Sequence, residues 1–159
     1  MNKKTIYIAG GCFWGTEAFF KKINGVLDTT VGYANSIIKN PNYEQVKTGN
    51  TNAVETVKII YNADILSLQE IITKLFSVID PTALNYQGGD YGTQYRNGIY
   101  YENLADEAQI KKLLNKLSKC YSKPLATELK QIQNFYEAEE YHQDYLDKHP
   151  NGYCHIKLS

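Results

Sequence analysis

The sequence predicts an α+β two-layer sandwich, and three observations carry that expectation. Short β-branched runs and amphipathic runs follow one another as strand–helix–strand–strand–helix–strand, then helix, strand and a loose tail. Two of the helices are strongly marked and fall late, after strands that are themselves close together. No repeat, low-complexity tract or linker interrupts the 159 residues, which therefore read as one domain, 1–159.

Each element has its own justification. Thr5 to Ala9 is a short apolar run and predicts a strand; Thr16 to Ile23 is amphipathic and predicts a helix that Gly25 ends. Val26 to Tyr33 predicts a second strand. Ala34 to Tyr43, with its asparagines and Pro41, has no period and reads as a loop, and Thr48 to Asn52 reads as a turn. The β-branched run Ala53 to Tyr61 predicts a third strand. Ser67 and Glu70 spell a capping box ahead of Leu68, Ile71, Ile72, Leu75 and Phe76 at helical spacing, a helix that Asp80-Pro81 closes. Thr82 to Gln94, with Gly88, Gly89 and Gly92, is a long loop, and such loops in a compact domain are functional or disordered. Asn97 to Tyr101 predicts a strand, Leu104 to Tyr121 a helix, Ala126 to Ile132 a strand and Phe135 to His149 a final helix, before a turn at Asn151 to Cys154.

Composition removes several function classes. Lys plus Arg and Asp plus Glu are 17 each, which argues against a general binder of nucleic acid or anionic membrane. Three widely spaced cysteines without a C-x-x-C pair exclude a disulfide scaffold, a zinc ribbon and a thioredoxin-type motif, and favour a cytoplasmic protein with a reactive thiol. The apolar run before Cys12 is about four residues, short of the roughly 7–15 of an export signal. No apolar run reaches the ~18 residues of a membrane span.

Cys12 is the first chemical candidate. It stands where a strand turns into a helix, between Gly10-Gly11 and Gly15, so unpaired helical N–H groups and the helix dipole favour a thiolate there. Phe13 and Trp14 beside it can build an apolar pocket. Glu55 shares a strand face with Ala53, Val57 and Ile59, opposite Lys58, which marks it as a partly buried carboxyl with a raised pKa and a proton to give. The loop Gly88 to Arg96 offers glycines for close approach to a ligand and hydrogen bonds from Asp90, Tyr95 and Arg96. Cys154 reads either as an inert terminal residue or as a second thiol for a sulfenic acid on Cys12; Cys120 reads as a structural residue of the long helix. His142, His149 and His155 match no common zinc spacing and read as a solvated helix face.

With these residues assembled, the chain resembles the type A peptide-methionine sulfoxide reductases, which act on the S epimer. The resemblance rests on Gly11-Cys12-Phe13-Trp14-Gly15, Asn40-Pro41-Asn42-Tyr43, Thr48-Gly49 through Glu55, Asp80-Pro81-Thr82, Gly89 through Arg96, and His142-Gln143-Asp144-Tyr145-Leu146 through Gly152-Tyr153-Cys154. It departs from the family pattern at Asn52-Ala53-Val54, where Gly-His-Ala is usual, at Tyr91, where histidine is common, and in a short tail with one cysteine.

The resemblance implies a ferredoxin-like core with additional strands and a long, loosely structured C-terminal segment, residues 150–159 being a mobile tail with the resolving cysteine. It implies that Cys12 is the nucleophile, that Phe13 and Trp14 receive the substrate methyl, and that Glu55 protonates the sulfoxide oxygen with help from Tyr43 and Tyr95. Asp90 fixes the arrangement, and Cys154 resolves the sulfenic acid in a single relay. Peptide-bound and free methionine sulfoxide are the implied substrates, thioredoxin the reductant, a monomer the expected state, and no metal or other cofactor is needed. Two rivals remain open on the residues alone: a cysteine acyl-transfer hydrolase, and a redox-sensing binding domain.

Overall fold

The computed structural model describes residues 1–156. In chain order the strands are β1 (Lys3–Gly10), β2 (Val26–Ala34), β3 (Val54–Asn62), β4 (Tyr86–Gln87), β5 (Asp90–Tyr91), β6 (Asn97–Tyr101), β7 (Glu128–Gln131) and β8 (Phe135–Glu137). The helices are α1 (Phe13–Lys21), α2 (Tyr43–Lys47), α3 (Leu68–Val78), α4 (Ala105–Ser118) and α5 (Tyr145–Lys148). Six strands form one sheet in the order β7-β6-β1-β3-β2-β8. All its pairings are antiparallel except β6 with β7. The sheet and five helices make a mixed α and β architecture, as expected at the level of fold class.

Alternation decides which face is covered. Ile6, Ile8, Val31, Tyr33, Val57, Ile59, Ile99 and Tyr101 pack with Phe13 and Phe20 of α1 and with Leu68, Ile71, Ile72, Leu75 and Phe76 of α3. Ile110 and Leu113 of α4 close the same core. The opposite face carries a smaller cluster of Tyr7, Ala9, Ala34, Val54 and Tyr100, against which Ile132 and Phe135 pack. The Ser67–Glu70 capping box forms as the sequence spells it.

Several elements differ from expectation. Helix α1 starts three residues earlier, at Phe13, because Cys12 itself is the N-cap. Tyr43 opens a short helix capped reciprocally by Asn42 and Gln45. The long loop contains the small β4–β5 hairpin and a 3-10 turn at Thr93–Tyr95.

The largest correction is the final helix. Phe135 to Glu137 pairs with β2 instead, Glu140–His142 forms a 3-10 turn, and only Tyr145–Lys148 is α-helical. Tertiary hydrogen bonds outweigh the helical pattern there. The Gln143 amide accepts from Val31 N–H at 2.9 Å and donates to the carbonyls of Val31 and Ala138, continuing the sheet edge with a side chain. Asp144 then adopts a left-handed backbone, φ 55°, which an α-helix cannot contain. Cys120 is also corrected: it lies exposed beyond the end of α4 and supports no core.

After α5 the chain is irregular in backbone but seated on the molecule. Ile156 is buried, and His155 reaches the carbonyl of Gly10. The remainder of the expected tail, 157–159, lies outside the described residues.

Candidate active site

The turn between β1 and α1 places Cys12. Gly11 has φ +89°, a conformation that side chains resist, and a Cβ there would stand 2.7 Å from Gln87. Cys12 follows as N-cap, only 8% exposed. Burial pushes its thiol well above the ordinary range, and the nearby Glu55 carboxyl adds to the effect. The Trp14 backbone N–H pulls the other way and loses. The helix terminus is therefore present as the sequence implied, but desolvation outweighs it and the resting sulfur is a thiol.

Glu55 arrives from β3, opposite Tyr33 on β2, and is 1% exposed on the helix-covered face. Its Oε1 accepts the Phe13 backbone N–H at 3.2 Å, one of the free donors of the first helical turn. Its Oε2 is buried without a hydrogen-bond partner among the described residues. Burial lifts the carboxyl to about 8 despite that bond, with a further push from Asp90. At neutral pH it is a carboxylic acid with a proton to donate.

Two phenols face the same carboxyl. Burial raises Tyr43 to about 12, with Glu55 and Cys12 contributing. Tyr95 is also raised by burial, then by Glu55 and Tyr43. Both stay protonated donors at neutral pH.

Arg96 holds this corner together. It donates through Nε to Glu128 at 2.8 Å, through Nη1 to Thr93 O and through Nη2 to Asn52 O, both at 2.9 Å. One guanidinium thus ties the turn before β3 to the turn carrying Tyr95.

The aromatic wall is built from α1 and the segment after β8. Phe13 is 1% exposed, its ring 5.8 Å from Tyr33 and 5.3 Å from His142. Trp14 is half-buried and stacks on Tyr145 at 3.7 Å and 8°. Its indole N–H donates to His142 Nδ1 at 3.0 Å. Asp90, on the β4–β5 hairpin, accepts the Tyr153 hydroxyl at 3.0 Å. Next to Tyr153, the Cys154 sulfur lies 2.8 Å from where a Gly15 Cβ would be. A thiol, a neutral acid, two phenols, an aromatic wall and a second thiol therefore meet at one helix N-terminus.

The sequence model of the family described as peptide methionine sulfoxide reductase matches residues 4–159. The chain belongs to that family. The peptide methionine sulfoxide reductase MsrA of Metamycoplasma arthritidis is 59% identical over 155 residues, 98% of this chain and 99% of its own length. The reduced form of Mxr1 from Saccharomyces cerevisiae superposes with a TM-score of 0.93 at 38% identity, covering 99% of this chain and 92% of Mxr1. Mxr1 in complex with Trx2 superposes with a TM-score of 0.66 at 28% identity, covering 91% of this chain and 85% of Mxr1.

As a member of that family the protein is an oxidoreductase, and the residues named from its sequence lie around the start of α1. Five further residues support these from around the site, three that sequence reasoning did not consider and two that it placed elsewhere. Glu139 accepts the Tyr33 hydroxyl at 2.7 Å and the Tyr43 backbone N–H at 3.0 Å, which fixes the start of α2. Glu17, buried on α1, accepts the Asp144 backbone N–H at 2.8 Å and so seats the corner before Tyr145. Lys21 reinforces that corner through ion pairs with Asp144, at 2.6 Å, and Asp147.

The other two are histidines, and they overturn the solvated-face expectation. His142 is 1% exposed, with its ring among Phe13, Trp14 and Tyr43. His155 lies against Gly11 and Gly15. Helical spacing could not find His142, because its segment is not a helix, and His155 lies beyond the segment so read. No group of three His, Cys, Asp or Glu among the described residues is arranged to hold a metal ion. No helix among them is long and apolar enough to cross a membrane.

Proposed function

We propose that this reductase converts methionine-S-sulfoxide, peptide-bound and free, to methionine through a sulfenic acid on Cys12 and a Cys12–Cys154 disulfide. The observation that carries the reading is Glu55: a buried, neutral carboxyl whose Oε2 has no partner, beside the only buried thiol of the described residues. A sulfoxide oxygen is the acceptor such an oxygen lacks. Protonated there, it makes the sulfoxide sulfur electrophilic, and Cys12 attacks as its own proton leaves. Tyr43 and Tyr95 add hydrogen bonds to the same oxygen.

The balance of the first half is one thiol plus one sulfoxide giving one sulfenic acid plus one thioether. Oxygen passes to the Cys12 sulfur, and no other reductant is consumed. Phe13 backs the site and Trp14 offers its half-buried face to the methyl group. Asp90, tied to Tyr153, steadies the tail beside the site. Cys154 then condenses with the sulfenic acid, releasing water.

Thioredoxin is the proposed reductant of the disulfide; the complex of the related Mxr1 with Trx2 supports it. Residues 1–159 act as one catalytic domain and as a monomer, with the segment that carries Cys154 as the part that moves. The strand order β6-β1-β3-β2 supports a ferredoxin-like core to which β7 and β8 are added. Three unpaired cysteines support a reducing, cytoplasmic setting. Among the described residues no histidine hydrogen-bonds Cys12, which weighs against the hydrolase reading.

Steady-state turnover of each sulfoxide epimer with thioredoxin as reductant tests the function. Turnover of the S epimer with stoichiometric oxidation of thioredoxin is expected. Equal turnover of both epimers, or none, sinks the reading.

A further inference from the structure

We propose that His155 is the base of the second half-reaction: its Nδ1 takes the Cys154 thiol proton as that sulfur attacks the sulfenic acid on Cys12. This rests on the relay proposed above and adds a residue to it.

Three observations carry it. First, His155 Nε2 lies 2.6 Å from the Gly10 carbonyl oxygen. A carbonyl oxygen only accepts, so Nε2 holds the hydrogen, and in the neutral ring Nδ1 keeps a bare lone pair. Second, that Nδ1 is buried and has no hydrogen-bond partner among the described residues. Third, a Cβ on Gly15 would stand 2.8 Å from Cys154 Sγ and 3.3 Å from His155 Nδ1. The lone pair and the thiol therefore border the same small space on the first turn of α1, three residues from Cys12. Only glycine at position 15 leaves that space open.

His142 cannot serve, because its Nδ1 already accepts the Trp14 indole N–H. The Cys154 thiol donates to the Ile156 carbonyl at 3.0 Å. Leaving that carbonyl to attack Cys12 requires its proton to go elsewhere, and Nδ1 is the unoccupied acceptor at hand.

The step balances within the protein. Cys154–SH and Cys12–SOH give the disulfide and water. The S–O bond breaks and the S–S bond forms, the sulfenic sulfur being reduced and the Cys154 sulfur oxidised. The thiol proton passes to Nδ1 and from there to the departing hydroxide. On its outer side the ring borders an open cleft of about 640 Å³, lined in part by Asp80, Gln87 and Gly88, through which water can leave.

Burial holds the His155 imidazole below its ordinary pKa, against the pull of the Gly10 carbonyl and Asp90, so the base is free at neutral pH. The titratable groups around it are Asp90 on β5, Asp80 across the cleft, Tyr153, and the thiols of Cys12 and Cys154.

Single-turnover reduction of a methionine-S-sulfoxide peptide without thioredoxin tests this, with methionine, trapped sulfenic acid and disulfide measured over time. His155→Gln keeps an N–H donor for Gly10 but supplies no base. Methionine should form at the native rate, while disulfide formation slows by about 10- to 100-fold at neutral pH. Alkaline pH should restore it, because hydroxide in solution then takes the place of the missing base. His155→Asn, read alongside, guards against a folding defect in one variant. Disulfide formation at the native rate, or slowed equally at every pH, overturns the proposal, and so does a methionine burst lost in both variants. Failure of the native protein to form methionine at all would instead remove the reductase reading on which the proposal stands.

Discussion

Glu55 accepts the backbone N–H of Phe13 at 3.2 Å, which joins an acid from the middle of the sheet to the first turn of the helix that Cys12 caps. The bond fixes the carboxyl beside the sulfur and leaves its second oxygen without a partner among the described residues. Both groups are neutral at rest for the same first reason, burial, with a further push from Glu55 on Cys12 and from Asp90 on Glu55.

Glu55→Gln keeps the shape and removes the proton. A loss of roughly two or more orders of magnitude in kcat/KM is expected, in line with general acid catalysis. The native enzyme needs the protonated acid, so its rate should fall as pH rises through about 8. Stability has the same sign: the folded carboxyl titrates at about 8 and the ordinary one at 4.5, so the fold retains a proton that the unfolded chain releases. Stability therefore declines from pH 4.5 to 8, and Glu55→Gln should be more stable than the native protein at pH 8. A variant with native activity, or a flat pH profile, would make a tyrosine the acid.

Cys12→Ser should abolish reduction of a methionine-S-sulfoxide peptide. Cys154→Ser should still give about one equivalent of methionine per chain and then stall with thioredoxin, because the sulfenic acid lacks its partner. Normal cycling by Cys154→Ser would move the resolving role to the exposed Cys120.

Trp14 is held by the stack on Tyr145 and by His142. Tyr145→Leu removes the stack but keeps an apolar residue. A stacked pair contributes about 0.5–1.5 kcal/mol beyond its buried area. KM for the peptide should rise several-fold with kcat little changed, measured by initial rates. A fall in kcat alone would show that Trp14 acts on the chemistry instead of on binding.

Gln143 satisfies both backbone groups of Val31. Gln143→Leu leaves the Val31 N–H without its partner, while the Val31 carbonyl keeps the Ala138 N–H at 3.0 Å. A loss of about 1–3 kcal/mol is expected, read as a lower urea midpoint with unchanged slope. An unchanged midpoint would show that water replaces the amide without cost.

Much of this was legible in the sequence where local chemistry decides structure. The Ser67–Glu70 cap, the alternation that turns Glu55 inward and the glycines around Cys12 each state their structure within a few residues. Asn42 and Gln45 spell the same kind of cap and could have been read. The segment 135–149 could not, because its conformation is set by Val31, Tyr33, Tyr43 and Glu17, at least 92 residues away in sequence. The thiolate expected at Cys12 failed for a related reason: a helix terminus is a local feature, but the desolvation that outweighs it comes from the assembled core.

That buried, protonated sulfur has a consequence in an oxidising cell. Peroxide reacts with thiolates, and a resting thiol held far above its ordinary pKa offers little thiolate. If Cys12 is the nucleophile, as proposed, the protein should resist peroxide at rest and keep that sulfur for its substrate. On the proposed mechanism selectivity comes from the wait: the sulfur becomes reactive when a sulfoxide arrives to take the proton from Glu55.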